Sequence, residues 1–203
     1  MSFNNSKSYL EYTNLENIVK SNVSLYIENE LKHFSNIEEN IYLIQKNELI
    51  QEILSNLENW MKDEIPERYK QFVLKTITEE KWSNIVEAFK QKLIFGTSGI
   101  RGKLIVSLDQ NECDDDLKSL NNFGFESEIL RGTNSVNEII IMKNISGLIN
   151  YMKKKNFSKI VIGYDSRVCS RLFSRLIVNM FLQNNFLFIC LMKIILCLNY
   201  LLQ

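Results

Sequence analysis

The sequence predicts an α/β fold, a sheet packed with helices, preceded by a helical N-terminal extension. Over residues 14–60 the apolar side chains recur at helical spacing, most clearly at Ile50, Ile53, Leu54 and Leu57. Residues 159–164 contain three consecutive β-branched apolar residues, which are typical of a short buried strand. Helical patterns precede and follow that strand, and this order is typical of a parallel or mixed sheet.

The composition is that of a folded protein without a dominant charge. The 203 residues include 24 basic and 24 acidic side chains, so the formal net charge is +0. We therefore expect neither nucleic acid nor a membrane as a partner. The N-terminus lacks an apolar core of signal-peptide length, which predicts a cytoplasmic protein. The four cysteines include no Cys-x-x-Cys pair and the only histidine is His33, so no zinc site is predicted.

Residues 1–92 are predicted to form the helical extension and the lead-in to the sheet. Pro66 suits the first turn of a helix, where its missing N–H has no intrahelical partner. The predicted buried face of that helix is Tyr69, Phe72, Val73 and Ile77. Thr78 is predicted to cap a further helix with the buried residues Trp82, Ile85, Val86 and Phe89.

A glycine-rich segment follows at residues 95–102, which read Phe-Gly-Thr-Ser-Gly-Ile-Arg-Gly. Three glycines in seven residues predict an unusual backbone path and not a regular helix or strand. Residues 109–125 are polar and include Asp114, Asp115 and Asp116. Three carboxylates could bind a cation, but adjacent side chains diverge and the spacing of a calcium loop is missing. A solvated loop is therefore predicted there.

The remaining elements are predicted from periodicity. A helix over residues 137–154 is expected to bury Ile141, Ile145, Leu148 and either Tyr151 or Met152. Ser170 is predicted to cap the helix after the strand. The buried stripe of that helix is expected to be Leu172, Phe173, Leu176, Ile177, Met180 and Phe181.

Four groups of residues together resemble the α-D-phosphohexomutases, the family of phosphoglucomutases and phosphomannomutases. Residues 95–102 resemble the opening signature of that family. Before it, Trp60, Asp63 and Pro66 resemble the lead-in of the phosphoglucomutase-2-like branch. After it, Gly147, Leu148 and Tyr151 resemble a helix of the family. The last group, again in the family's order, is the turn from Gly163 to Arg167 with Ser170, Arg171 and Phe173. The resemblance spans residues 60–183. It implies that residues 93–185 are an incomplete first domain with a mixed sheet.

The resemblance implies an isomerase of carbohydrate metabolism. The full-length family interconverts the 1-phosphate and 6-phosphate of a hexose, or the corresponding pentose phosphates, through a phosphoserine, a sugar bisphosphate and Mg²⁺. Arg101 would contact the substrate phosphate, with Thr97, Ser98 and Gly99 lining the same cleft. Glycines allow close approach of phosphate to the backbone, and a guanidinium can donate two parallel hydrogen bonds. Alternatively, the hydroxyls of Thr97 and Ser98 only stabilise the turn.

Two other regions have a different interpretation. Gly163, Asp165 and Arg167 follow a strand, where α/β sites gather, but in the family this turn is architectural. We therefore predict a local interaction between Asp165 and Arg167. A polar insertion occupies residues 106–134, and the family's Arg-Met-Asn stands here as Ser-Val-Asn at residues 135–137.

The family's catalytic segments are missing from this sequence. No histidine or proline follows Pro66, so the Thr-Ala-Ser-His-Asn-Pro segment with the phosphoserine is absent, as is the Asp-Gly-Asp-Gly-Asp metal loop. We predict no catalytic residue, no bound Mg²⁺ and no bound bisphosphate in this chain. Residues 186–203 are interpreted as an aberrant apolar tail of a truncated or mis-spliced gene. Two alternatives remain, a noncatalytic phosphosugar-binding or regulatory fragment and a protein anchored through residues 186–202, although Lys193 near the centre disfavours a span.

Overall fold

The computed structural model describes residues 7–31, 39–96 and 99–191. These form two compact units. Unit 1 contains the described residues up to Asn122 together with Glu126–Asn137, and unit 2 contains Phe123–Phe125 and the described residues from Glu138 onward. The division therefore falls near residue 137. The boundary predicted after residue 92 concerns the family domain and stays a prediction.

Unit 1 is built mainly from four helices: α1 (Lys7–Leu31), α2 (Glu39–Lys62), α3 (Glu67–Thr78) and α4 (Trp82–Phe89). Each contributes apolar side chains at helical spacing to a common core. The innermost include Val19 and Val23 of α1, Ile53 and Leu57 of α2, Val73 of α3, and Ile85 and Phe89 of α4. The helices predicted from periodicity are confirmed, and burial of these stripes stabilises them because short isolated helices are marginal in water.

Two predicted helix starts are wrong. Pro66 is the N-cap of α3, with φ −53° and ψ 135°, and is not its first helical residue. Thr78 belongs to the end of α3, where its hydroxyl donates to the carbonyl oxygens of Leu74 (2.9 Å) and Lys75 (2.8 Å). A threonine near a helix end readily bonds back to the preceding turn. The N-cap of α4 is Lys81.

Two short strands and a helix complete unit 1. Strands β1 (Phe95–Gly96) and β2 (Gly99–Ile100) pair antiparallel, and helix α5 (Gln110–Phe123) follows, then a 3₁₀ turn at Gly124–Glu126. The solvated loop predicted at residues 109–125 is therefore wrong. Asp109 Oδ1 accepts from the N–H groups of Asn111 (2.9 Å) and Glu112 (3.0 Å). A carboxylate in this position satisfies the free donors of a helix start, which explains why a polar sequence becomes helical.

Unit 2 has the order helix, strand, helix, strand: α6 (Glu138–Lys154), β3 (Lys159–Gly163), α7 (Ser170–Gln183) and β4 (Leu187–Leu191). Strand β4 is parallel to β3, in a register that runs from Lys159↔Leu187 to Gly163↔Leu191. The predicted helix–strand–helix order is confirmed. The core contains Ile149 and Met152 of α6, Ile162 of β3, Phe181 of α7 and Phe186.

The predicted mixed sheet is not formed by the described residues. They contain two separate two-stranded sheets, antiparallel β1–β2 in unit 1 and parallel β3–β4 in unit 2. Among the described residues, the two-residue strands β1 and β2 pair only with each other. Residues 110–123 and 138–154, which follow them, are helical.

Burial in unit 2 also differs from the prediction. Strand β3 is not buried on both faces, since Ile162 is 7% exposed but Val161 is 58% exposed. The core side chains of α6 and α7 cluster on the Ile162 face, and alternate residues of a strand point to opposite faces. On α6, Leu148 and Tyr151 are exposed and Met152 is buried.

The segment predicted to be an aberrant tail begins as a regular part of unit 2. Phe186 is buried and packs edge-on against Phe181, with ring centroids 5.3 Å apart, and residues 187–191 form β4. The expectation is corrected for these residues, because the β3–α7–β4 crossover gives the apolar run a parallel partner. Residues 192–203, with Lys193 and most of the proposed anchor, lie outside the described residues. No described helix is long and apolar enough to cross a membrane.

Candidate functional site

The glycine-rich segment forms a tight hairpin, which we call the 95–102 hairpin. The register pairs Phe95 with Ile100 and Gly96 with Gly99, and two residues of the sequence connect the strands. These residues, Thr97 and Ser98, lie outside the described part of the chain, so their predicted role stays a prediction. Gly99 has φ +94°, a conformation that other L-residues rarely adopt. The prediction that this segment contains no regular strand is therefore wrong, since Phe95–Gly96 and Gly99–Ile100 form β1 and β2. Among the described residues of the segment, the predicted unusual backbone occurs at Gly99.

Arg101 comes directly after β2 and is exposed. Its side chain forms no hydrogen bond or ion pair with any residue in the described part of the chain. The next residue, Gly102, lies against Leu93, since a Cβ built at position 102 would be 2.7 Å from Leu93 Cδ2. The two arms of the hairpin therefore touch at its base, and the guanidinium of Arg101 is accessible to a ligand.

Residues 133–136, which we call the clasp, hold both arms of the hairpin. Before β1, the N–H of Leu93 donates to the carbonyl oxygen of Thr133 (2.9 Å). After β2, the N–H of Val136 donates to the carbonyl oxygen of Lys103 (2.8 Å), within a parallel bridge between Lys103 and Ser135. The clasp thereby fixes the entry and the exit of the segment that contains Arg101.

Asn134 attaches the clasp to helix α4. It is 5% exposed, its N–H donates to the carbonyl oxygen of Ala88 (2.9 Å), and its Nδ2 donates to that of Glu87 (2.8 Å). Its Oδ1 accepts from Gln91 Nε2 (2.8 Å). The asparagine thus satisfies backbone groups at the C-terminal end of α4, which would otherwise have no intrahelical partners.

Two further residues shape the approach to the clasp. A Cβ at Gly132 would lie 2.3 Å from the carbonyl oxygen of Ala88, so only glycine fits against α4 there. Asn137, which is 3% exposed, donates through Nδ2 to the carbonyl oxygens of Gly132 (2.9 Å) and Ser135 (3.0 Å). These bonds of Asn137 fold the clasp back on itself.

A buried carboxylate lies under the exit arm of the hairpin. Glu87 of α4 is 7% exposed, and its oxygens accept from Lys90 Nζ (2.8 Å) and Lys103 Nζ (2.9 Å). Burial alone would raise the pKa of Glu87, but the two ammonium groups outweigh it and the pKa is lowered. Tyr26 of α1 also faces this charge, and burial, then Glu30 and Glu87, raises the pKa of its hydroxyl. Glu87 is therefore ionised at neutral pH.

Arg131 is an arginine that sequence reasoning did not single out. It is 2% exposed, and its Nη1 donates to the carbonyl oxygens of Ser127 (2.6 Å) and Ile129 (2.8 Å). Its Nη2 donates to Ser127 Oγ (3.0 Å), and the guanidinium lies 5.5 Å from the ring centroid of Tyr69. Because these donors are already used and buried, Arg131 has a structural role in the turn before the clasp.

The turn after β3 lies in unit 2, whereas the hairpin lies in unit 1. Asp165 Oδ1 accepts from the N–H of Arg167 (3.1 Å), and Asp165 Oδ2 lies 3.1 Å from Arg167 Nε. The hydrogen bond from Arg167, followed by that with Ser170, lowers the pKa of Asp165. Ser170 Oγ accepts from the N–H of Asp165 (3.1 Å), while the N-cap of α7 is Cys169 with φ 62°. The predicted cap at Ser170 is therefore wrong, and the contacts of the turn are local.

The described residues contain no group of three or more histidine, cysteine, aspartate or glutamate side chains that could hold a metal ion. The three adjacent aspartates point to different partners. Asp114 accepts from Gln110 (3.0 Å), Asp115 from Lys118 (2.9 Å) and Asp116 from Ser107 (2.6 Å). The described residues thus provide no site for the Mg²⁺ that the resemblance implies for the full-length family.

Comparison with known proteins gives one family. Residues 119–197 match the sequence model of the family described as Phosphoglucomutase/phosphomannomutase, alpha/beta/alpha domain I. The matched range contains α6, β3, the turn, α7 and β4, and it begins after the 95–102 hairpin. No curated protein and no solved structure gives a significant match.

Proposed function

We propose that this chain, which through residues 119–197 belongs to the phosphohexomutase superfamily, is the N-terminal part of a sugar-phosphate mutase and binds a phosphorylated sugar at the 95–102 hairpin. The family match supports the mutase part of the proposal. The binding site lies before the matched residues and is proposed from the exposed Arg101 and the glycines beside it. We further propose the family's reaction for the full-length protein: interconversion of sugar 1-phosphate and 6-phosphate, or pentose 5-phosphate, with Mg²⁺, in the cytoplasm.

The chemistry of the hairpin supports phosphate binding. Arg101 is exposed, and its guanidinium can donate two parallel hydrogen bonds to phosphate oxygens. Gly99 and Gly102 carry no side chain that would keep a ligand from the backbone. Thr97 and Ser98 are proposed to add hydroxyl donors. A charge-assisted hydrogen bond of this kind contributes roughly 1.5–3 kcal/mol.

The phosphoglucomutase-2-like branch is the finer part of the proposal. It rests on Trp60, Asp63 and Pro66. Trp60 is 2% exposed and packs edge-on against Phe89, with ring centroids 6.0 Å apart. In this chain the tryptophan therefore joins α2 to α4, the helix on which the clasp is mounted.

Binding of a sugar phosphate is tested by calorimetric titration of the 203-residue chain with glucose 1-phosphate, and with glucose as the ligand without phosphate. We expect binding of the phosphate ester only, weakened at least about tenfold by Arg101→Ala because one charge-assisted contact is lost. Arg167→Ala is the matched control, since that exposed arginine pairs with Asp165 in the turn of unit 2. Equal affinities of the two variants, or binding of glucose itself, would contradict the proposal.

We also propose that the 203-residue chain has no mutase turnover by itself. It contains neither the phosphoserine segment nor the aspartate loop, so no group in it can donate or receive the transferred phosphoryl group. A coupled assay with glucose 1-phosphate, sugar bisphosphate and Mg²⁺ should give the rate of a blank. A rate clearly above the blank that disappears with Arg101→Ala would show that the reaction has another phosphoryl acceptor.

A further inference from the structure

The orientation of Arg101 depends on the backbone on either side of it. Its guanidinium has no partner among the described residues, so no side-chain contact in that part of the chain directs it. Before it, the pairing of Gly96 with Gly99 fixes strand β2. After it comes Gly102, which by itself leaves the backbone more freedom than any other residue does. The next restraint along the chain is at Lys103.

Lys103 is held at two points. Its carbonyl oxygen accepts from the N–H of Val136 (2.8 Å), and its Nζ lies 2.9 Å from Glu87 Oε1. The lysine side chain is half exposed, whereas the glutamate is buried in unit 1 on helix α4. A buried carboxylate that lost this partner would keep its charge with only Lys90 to compensate it, so the pair is favoured over its separation.

We propose that Glu87 is a positioning residue for the phosphate-binding hairpin: through its ion pair with Lys103 it fixes the backbone that presents Arg101 to the ligand. This inference rests on the proposed function. Glu87 touches no ligand in this scheme, and its effect on binding passes through Lys103.

The second partner of Glu87 provides the control. Lys90 lies on the same helix, three residues further on, and its ammonium bonds the other carboxylate oxygen. Lys90→Met therefore removes an ion pair of similar length, 2.8 Å against 2.9 Å, from the same carboxylate, yet it leaves the link to the hairpin in place. If Glu87 acts only within helix α4, Lys90→Met and Lys103→Met should have the same effect on amide exchange at Val136 and on ligand binding. If Glu87 positions the hairpin, only Lys103→Met should change them.

Amide hydrogen exchange of the 203-residue chain, resolved by NMR, tests the link without any ligand. The amide of Val136 reports the exit arm, because its N–H bonds Lys103, and the amide of Asn134 reports the anchoring of the clasp to Ala88. In Glu87→Gln and in Lys103→Met we expect exchange at Val136 to accelerate on the order of tenfold, with Asn134 unchanged. Lys90→Met should leave both rates unchanged, and the double variant Glu87→Gln/Lys103→Met should match the single ones.

Unchanged exchange at Val136, or acceleration of both amides alike, would overturn the proposal. If Glu87→Gln does not fold, Lys103→Met decides the question, because its side chain is half exposed and its loss leaves no cavity.

Titration with glucose 1-phosphate tests the consequence for the ligand. We expect Glu87→Gln and Lys103→Met each to weaken binding about three- to tenfold, and Lys90→Met to have no effect. Unchanged or tighter binding in Glu87→Gln, with faster exchange at Val136, would refute the positioning role. If the unmodified chain and Arg101→Ala bind glucose 1-phosphate equally, the proposed function fails, and so does the ligand part of this inference. The exchange data would still decide whether Glu87 fixes the hairpin.

Discussion

Gly132→Ala is the substitution whose cost can best be worked out from the structure. The added Cβ would lie 2.3 Å from the carbonyl oxygen and 2.8 Å from the Cβ of Ala88. Both neighbours belong to the end of α4, so neither can move aside as the tip of a flexible side chain could. The clasp must shift, which costs about 1–3 kcal/mol as overpacking. The shift also strains the two hydrogen bonds from Asn134 to α4, worth about 0.5–1.5 kcal/mol each.

We therefore expect Gly132→Ala to lower the free energy of unfolding of unit 1 by about 2–4 kcal/mol. Urea unfolding followed by tryptophan fluorescence measures this, because both tryptophans of the chain, Trp60 and Trp82, lie in unit 1. The control is Gly96→Ala, whose Cβ would meet its nearest neighbour at an ordinary 3.8 Å. A loss below about 0.5 kcal/mol for Gly132→Ala, or equal losses for both variants, would refute the packing of the clasp on α4.

Three other perturbations address the remaining buried groups. Arg131→Met should lower the same free energy by about 3 kcal/mol, because the carbonyl oxygens and hydroxyl that it satisfies stay buried; an unchanged urea midpoint would contradict this. Phe186→Ala should cost unit 2 about 3–5 kcal/mol, measured by circular dichroism, and a variant as stable as the original would restore the interpretation of an aberrant tail. Because the pKa of Glu87 is lowered in the folded state, its ionised form stabilises the fold at neutral pH. This contribution is lost as the pH falls through the folded-state pKa, which lies below the usual glutamate range. In that pH range amide exchange at Val136 should accelerate in the unmodified chain and not in Glu87→Gln.

Elements with a strong local signal could be predicted from the sequence. The apolar spacing of α2 and the β-branched run of β3 identify a helix and a strand because each pattern matches the period of its own element. These patterns do not show whether a helix packs on the second face of a strand. Val161 is as apolar as Ile162, and it is exposed because no described helix packs on its side of the sheet.

The clasp could not be predicted in this way. Its first three residues are polar, and a polar run without periodicity indicates a solvated loop when only neighbours in sequence are considered. These three residues are buried because Asn134 bonds Glu87 in α4 and Thr133 bonds Gln91 just after it, more than 40 residues earlier in the chain. The available signal was chemical: small polar residues beside a glycine can supply many hydrogen bonds in little space.

The Lys103–Ser135 bridge has a consequence for how this protein tolerates changes in length. Because the two residues pair, residues 104–134 form a connection whose two ends are held together next to the hairpin. The entropy of closing a flexible loop grows only slowly with its length, by about 0.6 kcal/mol for each doubling. Residues could thus be added or removed at the exposed start of α5 with little effect on the hairpin, as long as Lys103 and Ser135 remain paired. The length of the segment predicted to be an insertion, residues 106–134, can then vary without changing how the hairpin presents Arg101.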